Sequence, residues 1–401
     1  MSRTGVVVIA LVFLALRVAL LFARQPFFDE IFTVWITAKP FGGILHALLQ
    51  DSGPPLYYFV IHALTLHGVT AMRIVSLVCA CATFAMLVEK RSAALLFAVF
   101  PPAVLFAVDA RAYAMCAMFV TIGVLAIDRD RYAIAALAFV LAAYSHYYGF
   151  LFFPLLIKQW RTLLVALIAF APGLWLALHQ PKEATAWIGR EWPEALFTRP
   201  PVALMAILIA AIVAGAFRWN RFTTMTVVPI AFALVLTIAG RPVYLPLRFE
   251  SVIAAPLALA IAHSLFSGAA APSPPRTAVL TTIVATALII CILGIEDHAH
   301  RPLDDYRAAA LWTRKLSAPI VASGYCYLET IVDAHPDAIA FPPEQAEHPG
   351  WRAQPTNGSI PPSEPFYWIG ERGAPELAII RRTRRIRPIY INARALVARV
   401  M

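Results

Sequence analysis

Charge is what this sequence has least of. Asp, Glu, Lys and Arg together make up 14% of its 401 residues, where a soluble protein carries about a quarter. That shortage excludes an ordinary water-soluble enzyme or binding module. Cysteine is scarce too, with five in all: Cys79, Cys81, Cys116 and Cys291 lie inside apolar runs and only Cys326 lies outside them. A thiol in an apolar run behaves as a small hydrophobe, so neither a disulfide framework nor a metal cluster is implied. No internal repeat and no glycine-rich nucleotide-binding motif is present.

Apolar side chain is what abounds. The chain is 60% hydrophobic, with a mean hydropathy of +0.72. Runs of roughly 17–25 apolar residues, the length that crosses a bilayer, recur to about Leu293. The first, Gly5 to Ala23, has no small-residue cleavage site and is followed by Arg24-Gln25-Pro26, so it reads as a retained helix rather than a cleaved signal. The class is a polytopic α-helical membrane protein.

Short basic clusters between the runs set the orientation: Glu89-Lys90-Arg91, Asp128 to Arg131, Lys158 to Arg161 and Arg218 to Arg221, with Arg3 and Arg276 besides. The excess of Lys and Arg in cytoplasmic loops places these inside. Pro54–His67 is too short to cross and carries His62 and His67; taken as a helix lying at the outer interface, it restores the parity of every later loop. About eleven transmembrane helices result, near 5–23, 71–88, 92–108, 112–127, 132–145, 149–157, 162–178, 201–217, 223–239, 249–266 and 278–295. The N-terminus is then cytoplasmic and the C-terminus outside, and the alanine-rich spans suggest a bacterial inner (plasma) membrane.

Two domains are expected, a transmembrane one over 1–295 and an extracytoplasmic soluble α/β domain over 296–401. The second holds a helical stretch near Tyr306–Leu316 and strand-like runs at 319–322, 366–369, 377–380 and 389–391. Cys326 falls in this domain as a candidate site for thiol labelling from outside. Its basic run Arg381-Arg382-Thr383-Arg384-Arg385 reads most simply as a solvated face, and more sharply as a contact for anionic lipid.

Polar groups gather in the outer loops. The first holds Asp29, Glu30, Lys39 and His46; the second reads VDARAYA, giving Asp109, Arg111 and Tyr113. Next comes YSHYYG with His146, Tyr147 and Tyr148, and later GRPVYLPLRFE with Arg241, Tyr244, Arg248 and Glu250. Ionisable residues at membrane depth are costly, so their gathering on one face suggests a shared cavity. The carboxylates suit acid/base work, and the planar fork of arginine suits a phosphate. Each also has a plainer reading: a solvated acidic pair at Asp29-Glu30, mutual pairing of Asp109 and Arg111, an aromatic belt around His146, and snorkelling of Arg248.

The ordered series of an acidic pair after the first helix, Pro54-Pro55-Leu56-Tyr57-Tyr58, Arg73-Ile74-Val75-Ser76, Pro101-Pro102, Asp109-Ala110-Arg111-Ala112-Tyr113 and Tyr144 to Gly149 resembles a known family. It is that of the polyprenyl-phosphate-sugar-dependent membrane glycosyltransferases of GT-C architecture, the protein O-mannosyltransferase and aminoarabinose transferase type. The resemblance implies that Asp29 is the catalytic base, with Glu30 its neighbour. Arg111 and Arg248 then contact the lipid phosphate, and Glu30 and Asp109 position sugar or acceptor. Glu is commoner than Asp at the position of Asp109, Phe249 stands where the family has Tyr after Arg248, and Gly53 stands where His often precedes Pro-Pro. Tyr113, His146, Tyr147 and Tyr244 complete the expected substrate-binding set.

The implied reaction is an inverting transfer of a sugar from a polyprenyl-phosphate donor to an acceptor hydroxyl on a glycolipid, glycan or protein. The donor is a substrate, so no cofactor is implied, nor a metal; membrane lipids are expected partners and nucleic acid is not. A lipid-linked substrate transporter or flippase would also cluster ionisable groups. It would show repeat symmetry and polar residues at mid-membrane, whereas these spans are almost pure Ala, Leu, Val, Ile and Phe.

Overall fold

The structure is a computed structural model that describes residues 3–181, 219–239, 243–266, 274–317, 319–354 and 362–401. The span expected at 201–217, and Arg218 and Arg241, lie outside the described residues. In chain order the helices are α1 (Arg3–Ala23), α2 (Phe28–Thr37), α3 (Phe41–Leu49), α4 (Leu56–Ala63), α5 (Val69–Leu87), α6 (Arg91–Val99), α7 (Pro101–Leu105), α8 (Tyr113–Asp128) and α9 (Tyr132–Ser145). A 3₁₀ segment, Tyr147–Gln159, leads into α10 (Trp160–His179), followed by α11 (Arg221–Ile238), α12 (Arg248–Phe266) and α13 (Pro274–His300). After them come α14 (Asp305–Thr313), β1 (Ile320–Ala322), α15 (Tyr325–Asp333), β2 (Ile339–Ala340), β3 (Phe366–Glu371), α16 (Pro375–Thr383), β4 (Ile386–Ile391) and β5 (Ala395–Val400). The chain divides into two compact units, one of 1–24 with 52–300 and the other of 25–51 with 301–401.

In the first unit, apolar helices long enough to cross a membrane include Thr4–Ala23, Val69–Leu87, Tyr147–His179, Arg221–Ile238 and Arg248–Phe266. α12 is the central one, packed against α6, α7, α8 and α11 and buried along most of its length. The segment Pro54–His67 folds as the eight-residue helix α4, about 12 Å long and so too short to span. The span expected over 92–108 is not one helix. It breaks at Phe100 (φ −68°, ψ 115°) into α6 and α7, because Pro101 and Pro102 lack the amide hydrogens that would bond back to the carbonyls of Phe97 and Ala98.

Those two carbonyls are not abandoned. The guanidinium of Arg17, fully buried in α1, donates to Ala98 O at 2.9 Å and Phe97 O at 3.3 Å, and to Ala103 O at 3.2 Å, with the ring of Phe13 3.8 Å away. A charge in the middle of an apolar helix ordinarily marks function. Here it repairs a proline break.

α8 and α9 pack closely, Gly123 lying against the ring of Phe139, and Gly149 approaches the backbone of α9. A Cβ at Gly149 would sit 2.2 Å from the Ala143 nitrogen and 2.3 Å from the Ala142 carbonyl carbon. Backbone cannot swing aside as a side chain can. Gly149→Ala is therefore expected to cost about 2 kcal/mol or more, read as a lowered unfolding midpoint in detergent.

The second unit carries a five-stranded sheet of order β2-β1-β3-β5-β4, parallel through β2, β1 and β3 and antiparallel across β3-β5-β4. Alternation along β3 sends Ile369 to a core with Ala309, Ala310 and Cys326 from α14 and α15, and Phe366 and Trp368 to one with Leu377 and Ile380 from α16. The indole of Trp368 donates to Ser323 Oγ at 2.8 Å in that second core.

Two expectations are corrected here. Residues 377–380 are helix, not strand: Pro375 and Glu376 open α16 and Arg381-Arg382 close it, which suits both the proline preference at the first turn and the helix dipole. Cys326 is fully buried, so it cannot report sidedness through thiol labelling. α15 and β5 had no counterpart among the sequence expectations.

Glu329 is buried in this unit with neither carboxylate oxygen hydrogen-bonded. Burial, then the Asp333 charge, push its carboxyl up to about 8 from 4.5. The folded unit thus keeps a proton that the unfolded chain gives up. The contribution of this group is fully present below about pH 4.5 and is lost as pH rises toward 8. Glu329→Gln is expected to flatten this slope, raising the melting temperature at pH 8 more than at pH 5 in thermal unfolding of the full chain.

Candidate functional site

In the first unit the residues around Arg111 and Tyr113 converge with Arg248. Arg248, at the start of α12, donates to the Tyr113 hydroxyl at 3.1 Å and its guanidinium lies 5.9 Å from that ring centroid. Arg111 donates to the Tyr58 hydroxyl at 3.1 Å. The His146 ring sits 5.1 Å from Tyr113 and 4.2 Å from Tyr148, within electrostatic reach of both guanidiniums. Its Nδ1 accepts from the Tyr148 amide at 3.2 Å, which caps the 3₁₀ segment and leaves Nε2 for another partner. Two arginines and three phenol or imidazole groups thus share one locality, which brings together Arg111, Tyr113, His146 and Arg248 of the candidate residues.

Tyr244 hydrogen-bonds to the buried Glu250 and stacks edge-on to Phe249, which in turn meets Tyr148. Burial, then the Glu250 charge, raise the Tyr244 phenol above its usual range, so it stays a neutral donor. Tyr147 points elsewhere: its hydroxyl donates to Gln180 at 3.0 Å, and Gln180 clamps the backbone of Gly53 just before Pro54-Pro55.

Asp109 is fully buried beneath this group. Its carboxylate pairs with Arg24 at 2.7 Å, and its carbonyl accepts from Ser76 Oγ at 2.5 Å. Arg24 also donates to Leu105 O at 2.7 Å, while Arg73 donates to the Arg24 carbonyl at 2.8 Å. Arg24, Tyr58, Arg73 and Ser76 were not singled out as site residues. The Arg73-Ile74-Val75-Ser76 and Leu56-Tyr57-Tyr58 stretches carried the signal, without saying that their polar members would brace the Asp109 turn.

Asp29 and Glu30 belong to the second unit, in the first turn of α2. Glu30 is fully buried and its carboxylate accepts from the Phe27 amide at 3.4 Å, so it caps its own helix. Asp29 is half-buried and its carbonyl accepts from Thr33 at 3.0 Å. α2 packs on α15: Phe28 meets Tyr325 edge-on at 5.4 Å, and Arg307, paired with Asp333, donates to the Pro26 carbonyl at 3.4 Å. Further along, Phe32 and Trp35 close on the buried imidazole of His348 at 5.3 and 5.7 Å. Burial, with the Lys39 charge assisting, holds that imidazole down near 4, so it is neutral in this aromatic surround.

No family model matches the sequence, and no curated protein sequence matches it. Its fold does have counterparts among solved structures. The crystal structure of ArnT from Cupriavidus metallidurans in the apo state matches with a TM-score of 0.60 at 14% identity, over 98% of this chain and 97% of that one. The crystal structure of the same protein bound to undecaprenyl phosphate matches with a TM-score of 0.57 at 14% identity, over 99% and 98% of the two chains. The chain has the ArnT fold along essentially its whole length. This is the fold that the resemblance to the aminoarabinose transferase type led one to expect.

Proposed function

We propose that this chain is an inverting glycosyltransferase that moves a sugar from a polyprenyl-phosphate donor to an acceptor hydroxyl on the outer face of a bacterial inner membrane. The observation that carries the reading is the convergence of Arg111 and Arg248 around Tyr113 and His146, in a fold shared with a protein seen bound to undecaprenyl phosphate. Two guanidiniums can grip a phosphate bidentately and offset the charge that develops as it departs. Tyr58 and Tyr113 hold those guanidiniums in place.

In this reading Asp29 takes the proton from the acceptor hydroxyl, which then attacks the anomeric carbon; the bond to the phosphate oxygen breaks and the phosphate leaves with the electron pair. One displacement inverts the configuration. Glu30 orders the helix that carries Asp29, Asp109 braces the turn that carries Arg111, and Tyr147 and Tyr244 shape the donor surroundings. The leaving charge falls on arginines, so the proposal needs no metal. It also keeps about eleven spans, with the N-terminus inside and the domain over 296–401 outside.

The test is release of free polyprenyl phosphate from a labelled sugar donor by detergent-purified protein. Arg248→Lys keeps the charge but loses the fork, and about a tenfold fall in apparent donor affinity is expected with the protein still folded. Absence of release from any polyprenyl-phosphate sugar, alongside movement of intact donor across a bilayer, would give the flippase reading instead.

A further inference from the structure

The last 25 residues, 377–401, contain seven arginines and no Asp, Glu or Lys. Some of these have local work: Arg384 donates to the carbonyls of Pro362 and Ser363, and Arg381 and Arg382 suit the C-terminal end of α16. Arg385, Arg387 and Arg399 do not. Arg387 and Arg399 are direct partners across the antiparallel β4-β5 pair, an arrangement that like charges destabilise. Arg385 lies two residues before Arg387, hence on the same face, and its backbone pairs with Met401. All three side chains are exposed, whereas Arg307 and Arg352 of this unit are held in ion pairs.

β4 is also an edge strand of the sheet among the described residues, and exposed apolar groups flank the arginines: Ile391 and Met401 are 55% and 47% exposed. Basic side chains beside exposed aliphatic ones suit the headgroup region of a bilayer, where phosphate and acyl boundary lie close together. The unit is tethered to apolar, membrane-length helices by three chain connections, after Arg24, Asp51 and His300. Lipid phosphate is therefore the anion it meets at the highest local concentration.

We propose that the β4-β5 edge, through Arg385, Arg387 and Arg399, is a docking surface for anionic phospholipid headgroups. Phosphates set between the arginines turn the Arg387–Arg399 repulsion into attraction to a shared anion. Each arginine near such a surface is worth on the order of fivefold in binding, so three together give a large, salt-sensitive effect. The inference stands apart from the proposed transferase reaction.

The experiment is hydrogen exchange of the full chain in nanodiscs of phosphatidylcholine, with or without phosphatidylglycerol. Phosphatidylglycerol is expected to slow exchange across 381–401 at low salt, less at high salt. Arg385→Gln with Arg387→Gln and Arg399→Gln should abolish the slowing, and the corresponding lysine triple should retain it. Exchange of the β3 core peptide checks that the glutamine triple is folded; if it is not, Arg387→Gln alone, which removes one of the two like charges facing each other across β4 and β5, takes its place and should weaken the slowing. Identical exchange in the two membranes, slowing that survives loss of the arginines, or protection by an acidic polysaccharide but not by phosphatidylglycerol would overturn the proposal.

Discussion

Asp29→Asn is expected to lower sugar transfer by about 10²-fold or more while donor binding persists. Asparagine keeps the size of the side chain and most of its hydrogen bonds, but it cannot take up a proton from the acceptor. Asp29 lies in the first turn of α2, where loss of a negative charge costs about 0.3–1 kcal/mol through the helix dipole. That is too little to unfold the helix, which is held by Phe28 on Tyr325 and by Phe32 and Trp35 around His348. A fall in turnover without a fall in melting temperature would therefore be chemical. Glu30→Gln is expected to be milder, because the buried Glu30 accepts from the Phe27 amide and glutamine can do the same. The assay is transfer from a labelled polyprenyl-phosphate sugar, with donor binding measured on the same preparation; near-normal turnover in Asp29→Asn would remove the base assignment.

The placement of α2 shows where reading the sequence stops. The apolar lengths of Gly5–Ala23 and 278–295 are local matters, so they were legible from composition and periodicity, whereas the helix that begins at Phe28 was read as an outer loop. That residues 25–51 fold with 301–401 depends on Phe32 finding His348 and Pro26 finding Arg307, partners about 300 residues away. Likewise, the nearness of Arg111, Tyr113, His146 and Arg248 was legible because the basic clusters assigned their loops to the same side. The bracing of Asp109 by Arg24 was not, since the obvious neighbour in sequence was Arg111. The helix at 377–380 was misread because its Leu-Ala-Ile-Ile core suits a strand equally well, and only its flanking Pro-Glu and Arg-Arg decide.

Arg24→Met is expected to destabilise the first unit by about 3–5 kcal/mol, the usual result of removing one partner from a buried ion pair. The pair is 2.7 Å apart, with side chains 12% and 1% exposed, so water does little to replace the lost charge. Arg24 also ties the end of α1 to Leu105 O, and its own carbonyl is held by Arg73; the loss should loosen the whole turn that presents Arg111. Asp109→Leu added to Arg24→Met takes away the second charge as well, and replacing both members of a buried pair by apolar groups is often near neutral. The double variant should therefore recover much of the unfolding midpoint in a denaturant titration of mixed micelles. Its activity then separates two roles for Asp109. Recovered stability with recovered transfer would make Asp109 a folding residue alone. The expected result is recovered stability with transfer still lowered by about tenfold, because the turn no longer holds Arg111 against Tyr58 at the 3.1 Å seen here.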